Sequence, residues 1–379
     1  MDFNLTQEQQ AIRNMVREFA AEEIAPRAAE IDKTGEFPLD LVKKMADLDL
    51  FALPFSEEAG GAGADYISYA IAVEEVSRVC ASTGITYAAH VSLGCMPVYL
   101  FGTAELKEKY LRPMLRGEFL GAFGLTEPNA GSDAGGTQTT AVLAGDEWVI
   151  NGSKCFITNA AYAGAVTVTA VTDKGKGTDG ISAIIIPRGT PGFSISSNYD
   201  KLGLKGSNTC ELSFDNVRVP KENLLGERGR GFKQFLKVLD GGRVSIAALS
   251  VGIGQACLDA SIKYAKQRTQ FGQPLINFQA IQFKLADMAT HMELARTMYL
   301  KAAWMRDCGL KYGKEASMAK LFASEKAMAA ATEAIQIHGG YGYMKEYPVE
   351  RYFRDVKLME IGEGTSEVQR MVIARHLNS

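Results

Sequence analysis

The chain has 379 residues, of which 46% are hydrophobic and 22% are charged, and its formal net charge is −3 at pH 7. This length and apolar content predict two or three domains with a sizeable core. The weakly acidic balance, without a block of Lys and Arg, excludes a typical nucleic-acid-binding protein. No apolar run predicts a membrane-spanning helix or a signal peptide, so we expect a cytoplasmic protein, or an organellar-matrix protein whose leader has been removed.

The first third of the chain, residues 1–120, has the pattern of a helical domain. Thr6 and Gln9 have the spacing of a capping box, which predicts that a helix begins there. Apolar residues then recur with the period of a helix, and Pro26 predicts a break. Asp65 follows a glycine-rich loop and is predicted to cap a further helix.

Residues 121–228 are rich in β-branched residues and turn residues, which predicts a β domain. Because no helical pattern separates the strands, we expect an antiparallel sheet. Asn151 and Gly152 form a dipeptide typical of a two-residue hairpin. Residues 175–180 match the glycine pattern of a dinucleotide-binding loop, but a strand pattern follows in place of a helix. We therefore interpret that segment as a hairpin turn.

Residues 229–379 return to long helical patterns with short connections, which predicts an antiparallel helical bundle. The six cysteines of the chain include no C-x-x-C pair, and its four histidines have no metal-ligand spacing. We expect neither a disulfide framework nor a metal site, and we interpret the cysteines as reduced and mostly buried.

Four polar segments lie in otherwise apolar surroundings and are candidates for a functional site. Residues 124–133 offer hydroxyls and closely spaced N–H groups, as an anion or a flavin ring requires, although an ordinary capped loop looks the same. Residues 156–159 end a strand with one hydroxyl and are unremarkable alone. Arg268, beside an aromatic residue and a glycine, suits a phosphate and a stacked ring or, equally, a helix C-terminus. Glu363 lies between two glycines that would let a substrate approach closely, whereas most glutamates are solvated.

The order and spacing of these segments resemble the acyl-CoA dehydrogenase family over essentially the whole chain. Residues 124–133 resemble the family's first flavin signature, and residues 336–342 together with 363–365 resemble its second. Residues 268–272 match the segment that reaches the FAD of a neighbouring subunit. Within the family, the chain is most similar to the bacterial butyryl-CoA dehydrogenases.

This resemblance implies an α+β, mostly α architecture. We expect an N-terminal helical domain (1–120), a central antiparallel β-barrel domain (121–228) and a C-terminal four-helix bundle (229–379). It also implies FAD as cofactor, a homotetramer built as a dimer of dimers, an acyl-CoA substrate, and an electron-transfer flavoprotein as electron acceptor. Neither nucleic acid binding nor membrane insertion is implied.

The resemblance also implies roles for individual residues. Glu363 matches the family's catalytic base, which removes the α-proton of the thioester while the β-hydrogen leaves as hydride. The implied cofactor-binding residues are Phe123, Leu125, Thr126, Ser132, Phe156, Thr158, Arg268, Gln270, Phe271, Gln279, Gln336, Gly339, Gly340, Thr365 and Glu367. The implied substrate-binding residues are Ser132, Asp240, Arg243 and Gly364.

Two glycines bear on the choice of substrate. Other branches of the family place the base at the position of Gly242, so a glycine there fits a base at Glu363. Gly362 stands where many short-chain relatives have tyrosine, which leaves branched, cyclic or slightly longer acyl groups open. An acyl-CoA oxidase is an alternative, although the oxidases' extra C-terminal domain is missing from this sequence. A flavin-free acyl-CoA-binding protein is the alternative from another class, and a colourless purified protein would favour it.

Overall fold

The computed structural model describes residues 4–378, so Met1 to Phe3 and Ser379 of the predicted terminal domains lie outside the described residues. The first part is helical, as predicted. The expected capping box is present, because Thr6 Oγ1 accepts a hydrogen bond from the backbone of Gln9 at 3.2 Å and Gln9 Oε1 accepts one from the backbone of Thr6 at 3.0 Å. The helices are α1 (Gln7–Phe19), α2 (Ala28–Thr34), α3 (Leu39–Asp47), α4 (Tyr66–Val79), α5 (Ala81–Ala89), α6 (Met96–Phe101), α7 (Ala104–Leu106) and α8 (Arg112–Leu115).

Helix α4 is the central helix of this part and is buried along most of its length. Asp65 caps it as predicted, since its carboxylate accepts from the backbone of Ser68 at 2.7 Å. The other carboxylate oxygen of Asp65 accepts from the side chain of Gln9 at 2.6 Å, which ties α1 to α4. The hydroxyl of Tyr66, in the first turn of α4, donates to the carbonyl of Gly241 at 3.0 Å. The N-terminal helices are therefore anchored directly to the C-terminal part of the chain.

Eight strands of one sheet follow in the middle of the chain. They are β1 (Leu120–Gly124), β2 (Thr140–Ala144), β3 (Glu147–Thr158), β4 (Ala163–Val171), β5 (Ile181–Pro187), β6 (Phe193–Ile195), β7 (Thr209–Pro220) and β8 (Leu224–Leu225). The order is β6-β7-β3-β2-β4-β5-β8, with β1 beside β4. This ladder runs from one edge at β6 to another at β8 and closes no barrel within residues 4–378, so the barrel prediction is not confirmed.

The prediction of a purely antiparallel sheet was wrong for two pairs of strands. Strand β1 lies parallel to β4, and β2 meets β4 in parallel at Thr140 and Val171. The other pairs in this sheet are antiparallel. Parallel strands require the chain to return to the end of the sheet where the first strand began. Between β1 and β4 the intervening strands β2 and β3 make this return, so no helical crossover is needed.

The hairpin predicted at Asn151 and Gly152 was also wrong. Both residues lie inside β3, where the register with β7 shifts between Ile150 and Gly152 as in a β-bulge. An Asn-Gly pair turns the chain only when the strands on its two sides pair with each other, and here both sides pair with β7. The turn between β2 and β3 lies at residues 145–146. The turn predicted at residues 175–180 does join β4 to the antiparallel β5.

The last part of the chain is helical again, as predicted. Its helices are α9 (Gly231–Gln267), α10 (Gln279–Asp307), α11 (Gly313–His338), α12 (Val349–Val356) and α13 (Ser366–Leu377), and the small strands β9 (Thr269–Gln270) and β10 (Gln273–Pro274) join α9 to α10. Helices α9, α10 and α11 pack against one another, and α13 packs on α11. Small residues recur along the packed side of α11, and four alanines there are fully buried: Ala316, Ala319, Ala323 and Ala327.

We predicted no apolar run of membrane-spanning length, but two helical stretches are long and apolar enough to cross a membrane by length and composition: residues 81–101 and helix α9. In each of them, 78% of the most apolar 18-residue stretch is buried inside the fold. Both stretches therefore pack as core helices.

Candidate active site

Glu363 lies in the short turn before the N-terminus of α13. Its backbone is left-handed, with φ +55°, and Gly364 follows with φ +95°. Thr365 then caps α13, since its hydroxyl accepts from the backbone of Val368 at 3.3 Å. A left-handed conformation is uncommon for a residue with a side chain and persists only where the surroundings hold it.

Two buried side chains hold the turn at Glu363. The ammonium of Lys320, on α11, donates to the carbonyl of Gly364 at 2.7 Å. The amide of Gln369, one turn into α13, donates to the same carbonyl at 2.9 Å and to the carbonyl of Glu363 at 3.2 Å. The left-handed turn is therefore fixed from two helices through its own carbonyl groups.

Glu363 is half-buried, and one of its two carboxylate oxygens is shielded from solvent. Its Oε2 atom is buried and has no hydrogen-bond partner within residues 4–378. Burial raises the pKa of Glu363 to about 7, against the opposing effect of the nearby cations Lys320 and Arg243. A carboxylate with a pKa near 7 is well matched to general base catalysis at neutral pH.

Gly242, on α9, makes room for this carboxylate. A β-carbon at Gly242 would lie 1.9 Å from Oε2 of Glu363, closer than any real contact. The Glu363 side chain therefore points at the surface of α9 and fills the place of a side chain at position 242. The smallest residue is required there for steric reasons.

The predicted substrate residues Asp240 and Arg243 meet beside this carboxylate. Arg243 is buried and donates through Nη1 to Asp240 at 2.8 Å and to Ser317 at 3.3 Å. Its Nε atom is buried without a partner in the described chain. Burial raises the pKa of Asp240. The pair thus leaves one unused hydrogen-bond donor next to Glu363.

The loop after β1 is fastened to β3 by a buried ion pair. Lys154, which is 0% exposed, donates to Glu127 at 2.7 Å, to Thr169 at 3.0 Å and to the carbonyl of Leu125 at 3.2 Å. Glu127 also accepts from the backbone of residues 138 and 139. This pair fixes the first part of the predicted flavin segment, at Leu125 and Glu127.

A backbone hydrogen bond also holds the first two candidate segments side by side. The backbone of Cys155 donates to the carbonyl of Thr126 at 2.9 Å, so residues 124–133 run beside the end of β3. There Phe156 is 66% exposed with φ +59°, and the half-buried Thr158 ends the strand. Phe123 stacks on Phe235 of α9, with ring centroids 3.9 Å apart. An exposed ring and a hydroxyl thus lie close to the loop that carries Thr126.

Several predicted cofactor residues line one cavity of about 490 Å³. Its walls include Arg268, Gln270, Gly339 and Gly340, and the guanidinium of Arg268 lies 5.7 Å from the ring centroid of Tyr341. A β-carbon at Gly339 or Gly340 would have no neighbour within 4 Å, so the backbone there is open to a ligand.

The remaining predicted site residues are exposed and do not line this cavity. They are Ser132, Phe271, Gln279, Gln336 and Glu367. Phe271 is 94% exposed and has a left-handed backbone with φ +50°. An exposed aromatic residue on a strained turn suits a contact with a ligand or another chain.

Sequence reasoning missed three residues that build the site: Lys154, Lys320 and Gln369. A signal existed for Lys320, which stands four residues after Ala316 and three before Ala323 and so interrupts a helical row of small residues. If the small residues of that row pack against other helices, a lysine in the same row is buried with them. No comparable local pattern marks Lys154 or Gln369.

Comparison with known proteins agrees with this geometry. Family models of the acyl-CoA dehydrogenases match three successive parts of the chain: the N-terminal domain at residues 6–118, the middle domain at 122–217 and the C-terminal domain at 229–378. A probable acyl-CoA dehydrogenase of Bacillus subtilis (strain 168) is 64% identical over 378 residues, which cover 100% of both chains.

Two solved structures share the fold over the whole chain. Butyryl-CoA dehydrogenase from Megasphaera elsdenii is 47% identical, with a TM-score of 0.98 and 100% of each chain covered. A chain from a study of the electron transferring flavoprotein of Acidaminococcus fermentans and flavin-based electron bifurcation is 50% identical, with a TM-score of 0.98; 100% of this chain and 99% of that one are covered.

Proposed function

This chain belongs to the acyl-CoA dehydrogenase family, and from that premise we propose that it oxidises a short-chain acyl-CoA to the trans-2-enoyl-CoA with Glu363 as the base. The observation that carries the proposal is the buried, unpartnered Oε2 of Glu363. A buried carboxylate of raised pKa is a stronger base than one in water, and the α-proton of a thioester is only weakly acidic.

The backbone of Glu363 supports the same assignment. Its N–H group donates no hydrogen bond within residues 4–378. A free N–H beside the base can donate to the thioester oxygen and stabilise the enolate that forms when the α-proton leaves. Lys320 and Gln369 occupy the neighbouring carbonyls, which keeps this N–H in place.

We assign FAD as the cofactor, and the residues present fit it. When bound, FAD supplies the acceptor for the hydride that leaves the β-carbon. Arg268, Gln270, Gly339 and Gly340 would hold its diphosphate and adenosine, because their cavity offers a cation, an amide and open backbone. The residues assigned to the flavin ring are Phe123, Leu125, Thr126, Phe156 and Thr158.

The remaining predicted residues receive roles that need a second chain or a ligand. We assign Phe271, Gln279 and Gln336 to FAD bound across a subunit interface in a homotetramer. Ser132, Asp240, Arg243 and Gly364 are assigned to the acyl-CoA, and Thr365 and Glu367 to the cofactor side of the same turn. Electrons would pass to an electron-transfer flavoprotein, and a location in the cytoplasm or an organellar matrix fits these partners.

A branched or cyclic acyl group is a second candidate substrate, and Gly362 favours it. A β-carbon at this position would meet only Leu358, at ordinary distances of 3.5 to 4.0 Å. The space beside the base is therefore open, and a bulkier acyl group can use it.

The test is anaerobic mixing of the purified, FAD-loaded protein with a panel of straight and branched short acyl-CoAs. We expect loss of visible flavin absorbance with wild type, none with Glu363→Gln, and an unchanged reaction with Glu346→Gln, an exposed glutamate elsewhere. Direct reduction of O₂ by the reduced protein would favour an oxidase. A protein that FAD cannot reconstitute would refute the proposal.

A further inference from the structure

Lys320 is a buried cation without a carboxylate in contact. It is 0% exposed on α11, and no carboxylate oxygen of the described residues lies within 4.0 Å of its ammonium. Its one hydrogen bond goes to the carbonyl of Gly364, next to Glu363. Burying an unpaired ammonium costs folding free energy, so its presence at this place indicates that its charge has a role.

The other groups that act electrostatically on Glu363 or Lys320 have ionic partners of their own, are exposed, or are neutral. Arg243, on α9, contacts Asp240. Of the acidic groups that act on Lys320 besides Glu363, Glu360 is paired with Lys357 and Glu367 is exposed. Tyr66 faces Glu363 from α4 and is neutral, because burial raises its pKa. Lys320 and Arg243 both act on Glu363, and Lys320 is the one of these two cations that contacts no carboxylate in the described residues.

We propose that Lys320 is a positioning residue that keeps Glu363 ionised, so that the base is ready in its carboxylate form at neutral pH. The proposal rests on the assignment of Glu363 as the base. The two side chains that hold the turn differ in charge. Gln369 contributes hydrogen bonds to its backbone, whereas Lys320 contributes a hydrogen bond and a positive charge.

The electrostatic directions agree with this role. Burial lowers the pKa of Lys320 to about 8, and the charge of Glu363 opposes this effect. Burial raises the pKa of Glu363, and the charge of Lys320 opposes that effect. Loss of the ammonium would therefore raise the pKa of Glu363 and leave less carboxylate at pH 7. An opposite charge close to a carboxyl group typically lowers its pKa by about one unit or more.

The experiment measures proton removal separately from hydride transfer. 3-Thiabutyryl-CoA has an acidic α-hydrogen but sulfur in place of the β-carbon, so it can lose a proton and cannot lose a hydride. Its deprotonation on the FAD-loaded protein is followed by long-wavelength absorbance across pH 5 to 9. The variants are Lys320→Met and Lys320→Gln, with Gln369→Met as the uncharged comparison and Lys301→Met as an exposed-lysine control.

We expect both Lys320 variants to shift the midpoint of deprotonation upward by about one pH unit or more, and to lower deprotonation at pH 7 about fivefold. Gln369→Met should weaken the signal without moving the midpoint, and Lys301→Met should behave as wild type. If the Lys320 variants lose amplitude at an unchanged midpoint, Lys320 is only a structural anchor and the proposal is wrong. Deprotonation that survives Glu363→Gln would instead refute the base, and the proposal with it.

Discussion

Gly242 and Glu363 compete for one volume of space, since a β-carbon on Gly242 would stand 1.9 Å from the Oε2 atom of Glu363. The two residues lie far apart in the sequence, one inside α9 and the other in the turn before α13. A glutamate at either position could therefore place its carboxylate in this volume, provided that the other position is glycine.

This relationship predicts that the base can be moved from one residue to the other. We expect Glu363→Gly to lose proton abstraction by a factor of about 10² to 10⁴, the usual contribution of a general base. Gly242→Glu combined with Glu363→Gly should recover part of that loss, because the new side chain starts at the vacated space. The measurement is the rate of flavin reduction by butyryl-CoA, with Gly242→Gln in the same Glu363→Gly background as the control. Equal rates for the Glu and Gln versions would contradict the geometric argument.

The raised pKa of Glu363 predicts opposite pH effects on activity and stability. Flavin reduction should rise with pH through about 7, since only the carboxylate form is a base. Between its ordinary pKa and about 7, the folded state keeps a proton that the unfolded state has lost, so stability falls as pH rises through that window. Glu363→Gln should therefore gain stability over wild type at pH 8 and lose the advantage at pH 4.5. Urea unfolding at both pH values measures this, and a pH-independent difference would contradict it.

The buried pair of Lys154 and Glu127 predicts a link between stability and flavin retention. Lys154→Met leaves a buried carboxylate unpaired, which typically costs about 3 to 5 kcal/mol of unfolding free energy. It also frees the carbonyl of Leu125, so FAD should dissociate more readily. Lys221→Met, which removes an exposed pair with Asp146, should change neither quantity measurably. Urea unfolding and ultrafiltration of bound flavin test both effects, and full flavin retention in Lys154→Met would show that the loop is held by other contacts.

The position of Arg268 predicts that flavin binding and assembly are coupled. We expect Arg268→Ala to weaken FAD binding by at least about tenfold, since a charge-assisted contact to a phosphate contributes about 1.5 to 3 kcal/mol. The oligomer should weaken together with it if one cofactor spans two subunits. Lys266→Ala removes a nearby exposed cation from the last turn of α9 and should leave both unchanged. Flavin titration and sedimentation velocity are the measurements, and a fully flavinated oligomer of unchanged affinity would refute the assignment of Arg268.

Local sequence patterns predicted the features that neighbouring residues control. The capping box at Thr6 and Gln9 needs only a spacing of three residues, and Asp65 caps α4 through its own next turn. The order of helices, strands and helices follows from periodicity in the same way. The hairpin prediction at Asn151 and Gly152 failed because the partner of β3 at that point is β7, which comes much later in the chain. Turn propensity cannot tell which strand will pair.

The sequence by itself determined the family resemblance, the helical and β regions, and Glu363 as the candidate base, because each depends on residue types in a fixed local order. Only the tertiary structure decided the environment of that base. Gly242, Lys320 and Gln369 reach Glu363 from three helices, and the burial that raises its pKa arises only when these helices pack together. A carboxylate's basicity depends on the water and charge around it, and that environment forms only when the chain folds.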